Sequence, residues 1–537
     1  MKNPTSTRLL LAAIVAAAAT AAASGQASAA TLTVCPSGCA YSQIAPAVAA
    51  ASSGDTIAIG PGTYQGGVTI DVSVKLTGAG PGRTIISGGG PVITIGQIFA
   101  ASEPTVSIDG VTITGGVTRS SPESTPFTGT EGVWAAGGGI EIPPNADSSG
   151  GARVTITNSV ITGNRVAPTD TVPFGPPCPG GGNCPFAGAF GGGIDSWGTL
   201  SLANTTVSDN RVGSASGLSL LASDAEGAGI RSWLSDLTIR NSIVDGNQAA
   251  AAVPNGRFAG PGGIFFGGGT LTITNSSVTN NSATLAAAFP SSVQLAAATG
   301  GIHIEFNAHA ATISNSTISG NSATMTNSVG DATAFSAGLQ ADTGVVTLSN
   351  DVIADNSVSS TALGNANGNG GVGEIGGTLN NVRLTGNTVD VSSATGNASG
   401  AAGATIFDGG TITNSLISNN HIHASAPAGS VDVRGGGLNL FGPTTLRNTT
   451  VSGNTVDGSG ISGSARGGGI VDIAFPFGPD GPPGGPLALQ NSNVTGNTLS
   501  GTAAILLQGG GIFAQNEPVT LTNSLISQNA PDQCVGC

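Results

Sequence analysis

An all-β chain wound as a parallel β-helix is predicted by three observations on the 537 residues. An Asn recurs at positions 158, 204, 241, 275, 315, 350, 381, 414, 448, 491 and 523, and each copy carries a second Asn six residues later, from Asn164 to Asn529. Ile or Leu stands two residues before the first Asn, and Val, Ile or Leu three residues after it. Between these markers apolar and polar residues alternate, as in Leu271-Thr272-Ile273-Thr274-Asn275, which assigns them to opposite faces of a strand. The copies lie 31 to 46 residues apart, too irregular for stacked helical repeats.

Each repeated column has a physical cause. Aliphatic residues such as Ile273 and Val278 point inward and stack on their equivalents one rung away. The paired Asn columns, beginning with Asn158 and Asn164, Asn204 and Asn210, Asn241 and Asn247, and Asn275 and Asn281, are expected as buried ladders that satisfy backbone groups at the bends. Tripeptides such as Asn204-Thr205-Thr206 match a glycosylation sequon but are assigned to the ladders. Glycines ahead of each Gly-Gly-Gly-Ile strand permit a tight corner. One copy then supplies a Gly-Gly-Gly-Ile strand, a long strand, a short Val-x-x-Asn strand and an inserted loop. Segments such as Val68-Thr69-Ile70 and Val111-Thr112-Ile113 read as earlier, less regular rungs. The single-stranded solenoid thus has about 13–14 rungs, and at roughly 4.8 Å each it is some 60–70 Å long.

Composition bounds the function. Charged residues make up 8% of the chain, and its net charge of −14 opposes binding to nucleic acid or an acidic membrane surface. Lys2 and Arg8, the apolar run Leu9 to Ala23 and the small residues Ala27-Ser28-Ala29 read as a secretory leader. No membrane span is expected, and the exported chain is expected to act as a secreted monomer. Its six cysteines fall into local pairs, Cys35–Cys39, Cys178–Cys184 and Cys534–Cys537, expected as disulfides in an oxidising compartment. The expected organisation is a leader over 1–30, a cap and first strand over 31–64, irregular rungs over 65–135 and regular repeats with inserted loops over 136–537.

The Gly-Gly-Gly-Ile and aliphatic-x-x-Asn pairing resembles the GGAI and FxxN repeats of polymorphic outer-membrane proteins, with an aliphatic residue in place of Phe. The stretch from Cys35 to Tyr64 resembles the capping segment of secreted bacterial right-handed β-helices of the pectin-lyase-like fold. That resemblance implies an amphipathic helix plugging the open end, with Ile44, Val48 and Ala51 against the first rung. The fold carries lyases, hydrolases, adhesins and ice binders, so the resemblance leaves the activity open.

Candidate functional residues follow from the stacking. If the Ile of Gly-Gly-Gly-Ile points inward, the residues one and three places later point outward. Rung by rung these are Glu141; Asp195 and Trp197; Arg231 and Trp233; Phe265; His303 and Glu305; Gln340 and Asp342; then Asn439 with Phe441 and Phe513 with Gln515. Indole faces suit sugar rings, and carboxylates and amides suit hydroxyls, so this strip is expected to bind a polysaccharide or cell-surface glycan without catalysis. The alternative is a polysaccharide-degrading enzyme. Glu141 with Asp195, or Glu305 with Asp342, would sit roughly 5 Å apart on adjacent rungs, a spacing suited to paired-carboxylate glycoside cleavage. Trp197, Arg231, Trp233, Phe265, His303 and Gln340 would then hold substrate. A structural or adhesin-like role is the second alternative. No cofactor is required, although a Ca²⁺ shared by neighbouring carboxylates is compatible with the pairing. His421-x-His423 is too small a ligand set to argue a metal site, and an exposed loop is expected there. A nearly unbroken hydroxyl column, from Thr155 and Ser201 to Thr520, raises ice binding, but Arg240 and Arg447 interrupt the companion column.

Overall fold

A computed structural model describes residues 29–100, 103–119, 133–146, 150–168, 187–213, 224–252, 258–288, 296–297, 299–342, 346–401, 403–473, 485–515 and 518–537. The expected leader up to residue 28 and the Cys178–Cys184 pair lie outside these residues. The described chain forms three long parallel sheets of 27, 20 and 14 strands. A rung is typified by the first strand Ile264–Phe266, the second strand Gly269–Thr274 and the third strand Ser277–Thr279. First and second strands of successive rungs build the largest sheet, and third strands build the smallest. Its 14 strands, one per rung, agree with the expected 13–14 rungs.

Register follows the repeat. Ile194 pairs with Ile230, Ile230 with Ile264, and Ile264 with Ile302, so each inward Ile lies on its equivalent. With Leu202, Ile239, Ile273 and the Val207, Val244 and Val278 column they fill one continuous buried core. The helix Ile44–Ala50 closes the N-terminal end, burying Ile44, Ala47 and Val48 while Ala51 packs half-buried against the core. Disulfides join Cys35 to Cys39 and Cys534 to Cys537.

The two Asn columns have different causes. The second column is the buried ladder: Asn210 Nδ2 donates to Asn247 Oδ1 at 3.0 Å and to the Ile161 carbonyl at 3.0 Å, and its Oδ1 accepts from the Asn164 amide at 3.1 Å. The first column is exposed, which corrects the expectation of burial. Asn158, Asn204, Asn241 and Asn275 have φ between 48° and 51°, the left-handed region that Asn tolerates better than other side chains. Between them runs a third column of buried hydroxyls, including Ser242, Ser276 and Ser316, each accepting an amide hydrogen bond from the preceding rung.

Asp351 interrupts the hydroxyl column. It is buried and accepts from the amides of Ser316 and Ser349, both at 2.8 Å. Burial pushes its carboxyl up to about 6 despite those donors. A folded pKa above the unfolded one means stability is complete below about pH 4 and is lost as pH rises through 6. Asp351→Ser is therefore expected to stabilise the protein at pH 7 by about 1–2 kcal/mol and to give little gain at pH 4, read from urea midpoints. A gain that does not depend on pH would contradict this origin.

The inserted segments are not irregular loops where they are described. In the regular rungs the chain runs out after the third strand along one strand, such as Thr388–Ser393, and comes back along another, such as Ala398–Ala401. Outgoing and return strands stack rung on rung into the 20-stranded sheet. Their facing sides enclose a second core rich in alanine, including Ala189, Ala225, Ala249, Ala251, Ala259 and Ala323. Small residues are needed because the layers touch: a Cβ on Gly368 would lie 2.9 Å from both Val389 and Val391. The Ala-rich composition thus marks a thin flange that extends the solenoid.

Candidate functional site

Each return strand meets the next first strand at an inside corner. Gly191, at φ 60°, turns the chain so sharply that a Cβ there would lie 2.5 Å from the Cα and Cβ of Asp195. Gly227 stands in the same relation to Arg231, at 2.8 Å from its Cβ, and Gly435 to Asn439, at 2.9 Å. The residue after the inward Ile is therefore folded into the angle. From the other wall come the return-strand residues whose neighbours line the flange core: Phe190, Glu226 and Phe258. The Arg231 guanidinium lies 4.3 Å from the Phe190 ring centre, and its Nε lies 3.4 Å from Glu226. Phe258 and His303 have ring centres 6.0 Å apart.

Register confirms the column but not its exposure. Glu141, Asp195, Arg231, Phe265, His303 and Gln340 pair successively on adjacent rungs. All point away from the main core, yet Asp195, Phe265 and Gln340 are each only 1% exposed, and Glu141, Arg231 and His303 are 5% exposed. The open strip expected from strand alternation is instead the lining of a corner covered by the return strands. The aromatic groups pack on one another. Trp233 stacks on Phe265 at 5.7 Å and 16°, and meets the buried Trp197 edge-on at 6.2 Å. Gly267 is small because the Trp233 indole covers it: a Cβ there would lie 2.1 Å from the ring.

Trp233, Glu226, Glu305 and Asp342 keep partial exposure and form the mouth of the corner. Asp195 is held by Arg231, Oδ1 to Nη1 at 3.1 Å. Burial nevertheless raises the Asp195 carboxyl, with the charge and hydrogen bond of Arg231 opposing. Glu226 is pushed up to about 8, because burial outweighs the attraction of Arg231 and the Asp224 and Glu305 charges add to the rise. Glu305 is raised by burial against the pull of His303, with Asp342 adding to the rise. Asp342 is the exception. Burial raises it, but His303 Nε2 at 3.1 Å and the Gln340 amide, donating at 3.1 Å, hold it lower overall. His303 Nδ1 and Gln340 Oε1 remain buried without a hydrogen-bond partner.

The structure therefore brings Asp195, Arg231, Trp197, Trp233, Phe265, His303, Gln340, Glu305 and Asp342 to one corner. Glu141 lies at its N-terminal end beside Asp195. Sequence reading missed Glu226, Phe190 and Phe258. Phe190 and Glu226 immediately precede the glycine that turns the corner, and a large or charged residue there is the signal that marks them. Among the described residues no group of three or more His, Cys, Asp or Glu is placed to hold a metal, and no helix is long and apolar enough to cross a membrane. His421 and His423 lie on the strand His421–Arg434 rather than in a loop, His421 against Thr455 and His423 2.9 Å from Asp457.

No family model and no curated protein matches the chain. Among solved structures it is similar to the A-module of the mannuronan C-5 epimerase AlgE4 of Azotobacter vinelandii, at 14% identity and a TM-score of 0.29, covering 90% of this chain and 93% of that one. The A-module of AlgE6 from the same organism is similar at 12% identity and a TM-score of 0.23, covering 88% and 93%. Superposition at that level carries no argument about activity, so the β-helix rests on the strand pairing of this chain and its function on the corner.

Proposed function

We propose that the protein is an exported β-helix that binds a polysaccharide or cell-surface glycan at the mouth of this corner. The supporting observation is the partly exposed Trp233 indole, fixed on Phe265 at the same mouth as the partly exposed Glu226, Glu305 and Asp342. An aromatic edge beside hydrogen-bonding carboxylates suits a hydroxylated ring. The indole is held rigid before any ligand arrives, which lowers the ordering cost of binding. Retention on a panel of immobilised polysaccharides tests this. At least one glycan should retain the protein, and Trp233→Ala and Glu305→Gln should each weaken retention about tenfold or more, the effect of some 1.4 kcal/mol. Retention by no glycan, or equal retention of both variants, would remove the proposal.

A catalytic reading is favoured by one further observation. Glu226, pushed up to about 8, is protonated at neutral pH and shares the mouth with Glu305 and the His303–Asp342 pair. A protonated carboxyl beside ionisable groups is suited to protonate a leaving glycosidic oxygen. New reducing ends or unsaturated products that disappear in Glu226→Gln would establish this reading, and their absence on every retained glycan would leave binding alone.

A further inference from the structure

Seven and eight rungs along the same column from Glu141, the corner changes character. Gly373 pairs with Gln340 and Thr405 follows on the next rung, then Asn439, which pairs with Thr405. A Cβ on Gly373 would lie 2.2 Å from Gln340 Oε1 and 2.0 Å from Ser336 Oγ, so these two side chains lean across that rung and close the corner. Beyond it the corner reopens as a cleft of about 140 Å³. Thr405, Phe407, Asn439 and Phe441 line one wall, and Asn367 and Ser399 the other. From His303 to Thr405 is three rung steps, roughly 14 Å.

Three properties define what fits. A cavity of ~150 Å³ accommodates one six-membered ring, as an engineered protein cavity of that size does for benzene. Phe407 and Phe441, with ring centres 5.1 Å apart, supply an apolar surface for one side of such a ring. Thr405 Oγ1 and Asn439 Oδ1 supply polar groups: both residues are at least 95% buried, line the cleft and have no hydrogen-bond partner at those atoms. The remaining wall groups are amides and a hydroxyl, and the one charged lining group, Arg434, is held by Asp432 at 3.2 Å. Uncharged hydroxyls on an otherwise apolar ring face match this set, and a free carboxylate would have to compete with Asp432 for the guanidinium.

We infer that this cleft is a separate subsite for one uncharged pyranose ring, with Thr405 and Asn439 bonding its hydroxyls and Phe407 and Phe441 packing against its face. The inference deepens the reading of the corner as a glycan site by naming the sugar class held at its far end. Saturation-transfer NMR of the full protein with methyl glucoside, methyl mannoside and methyl galactoside, against glucuronate and galacturonate, tests it. At least one neutral glycoside should receive saturation, the uronates should not, and the signal should fall at least tenfold in Thr405→Val and in Asn439→Leu. Because Asn439 is buried, Phe407→Ala, at a half-buried position, serves as a second variant with the same expected loss, and urea midpoints of all three establish folding. Saturation of uronates alone, of no probe, or of a neutral glycoside equally in all folded variants would overturn the inference; a cleft that holds only water gives the second of these outcomes. Polysaccharide retention that ignores Trp233 would defeat the reading of the mouth without touching this result, so the two failures are distinguishable.

Discussion

Asn321→Ala is expected to destabilise the solenoid by about 3–5 kcal/mol, while Asn275→Gly, six residues before the next ladder position, should change stability by less than about 1 kcal/mol. Asn321 Oδ1 accepts from the Asn281 amide at 3.0 Å and from Asn281 Nδ2 at 3.0 Å. Its Nδ2 donates to the Val278 carbonyl at 3.0 Å and to Asn356 Oδ1 at 2.9 Å. Alanine removes all four bonds. Asn281 Nδ2 keeps the Val244 carbonyl, and Asn356 Oδ1 keeps the Asn321 amide, so both stay satisfied. The Val278 carbonyl keeps its bond to the neighbouring strand, but the Asn281 amide loses its acceptor inside the turn; that buried orphan costs about 1–3 kcal/mol and the other lost bonds about 1 kcal/mol each. Asn275 is exposed, and its side chain makes only a 3.3 Å bond to Asn241. What that position requires is a φ of 50°, which glycine adopts without strain. In a repeat structure each rung is coupled mainly to its neighbours, so the Asn321 loss should also split the urea transition or raise hydrogen exchange locally. Equal losses at the two positions would mean that the columns do the same work, against the difference in burial.

That contrast shows what the sequence could tell. Leu271, Ile273 and Val278 are legible because strand alternation and repeat spacing demand them whatever surrounds the rung. The two Asn columns look alike in sequence because both recur without exception. Only burial separates Asn321, needed for its side-chain bonds, from Asn275, needed for its backbone angle. The candidate site was half legible. Register in a parallel stack places Asp195, Arg231, Phe265 and His303 in one line, and this needs no more than the repeat. Their burial depends on the angle between two strands, set by a positive φ at Gly191 and Gly227, which alternation does not encode. The second wall carried only a faint signal, for a related reason. Return strands such as Ala187–Phe190 and Asp224–Glu226 are short and vary between copies, so Glu226 has no column of like residues to announce it.

Arg231→Met should be the most damaging single change in the corner, costing about 3–5 kcal/mol at pH 7.5, and much of that loss should return in Arg231→Met combined with Asp195→Asn. Arg231 is sandwiched in the angle, with its guanidinium 5.6 Å and 5.2 Å from the Trp197 and Trp233 rings, and it contacts Asp195 and Glu226. Methionine keeps most of the packing volume but leaves the Asp195 carboxylate, 1% exposed, without its cation. The cost of breaking a buried pair lies chiefly in the charge left behind, and Asp195→Asn removes that charge. The pH dependence has a definite sign. Asp195 and Glu226 already stand above their unfolded values, and without Arg231 both rise further. A raised carboxyl favours the fold where it is protonated, so the Arg231→Met deficit should be small near pH 4 and grow as pH rises, first through Asp195 and, above about pH 8, through Glu226 as well. Urea midpoints of the parent, the two single variants and the double variant across that range measure it. A deficit of constant size, or a double variant no more stable than Arg231→Met, would place the role of Arg231 in its stacking between the rings rather than in its charge.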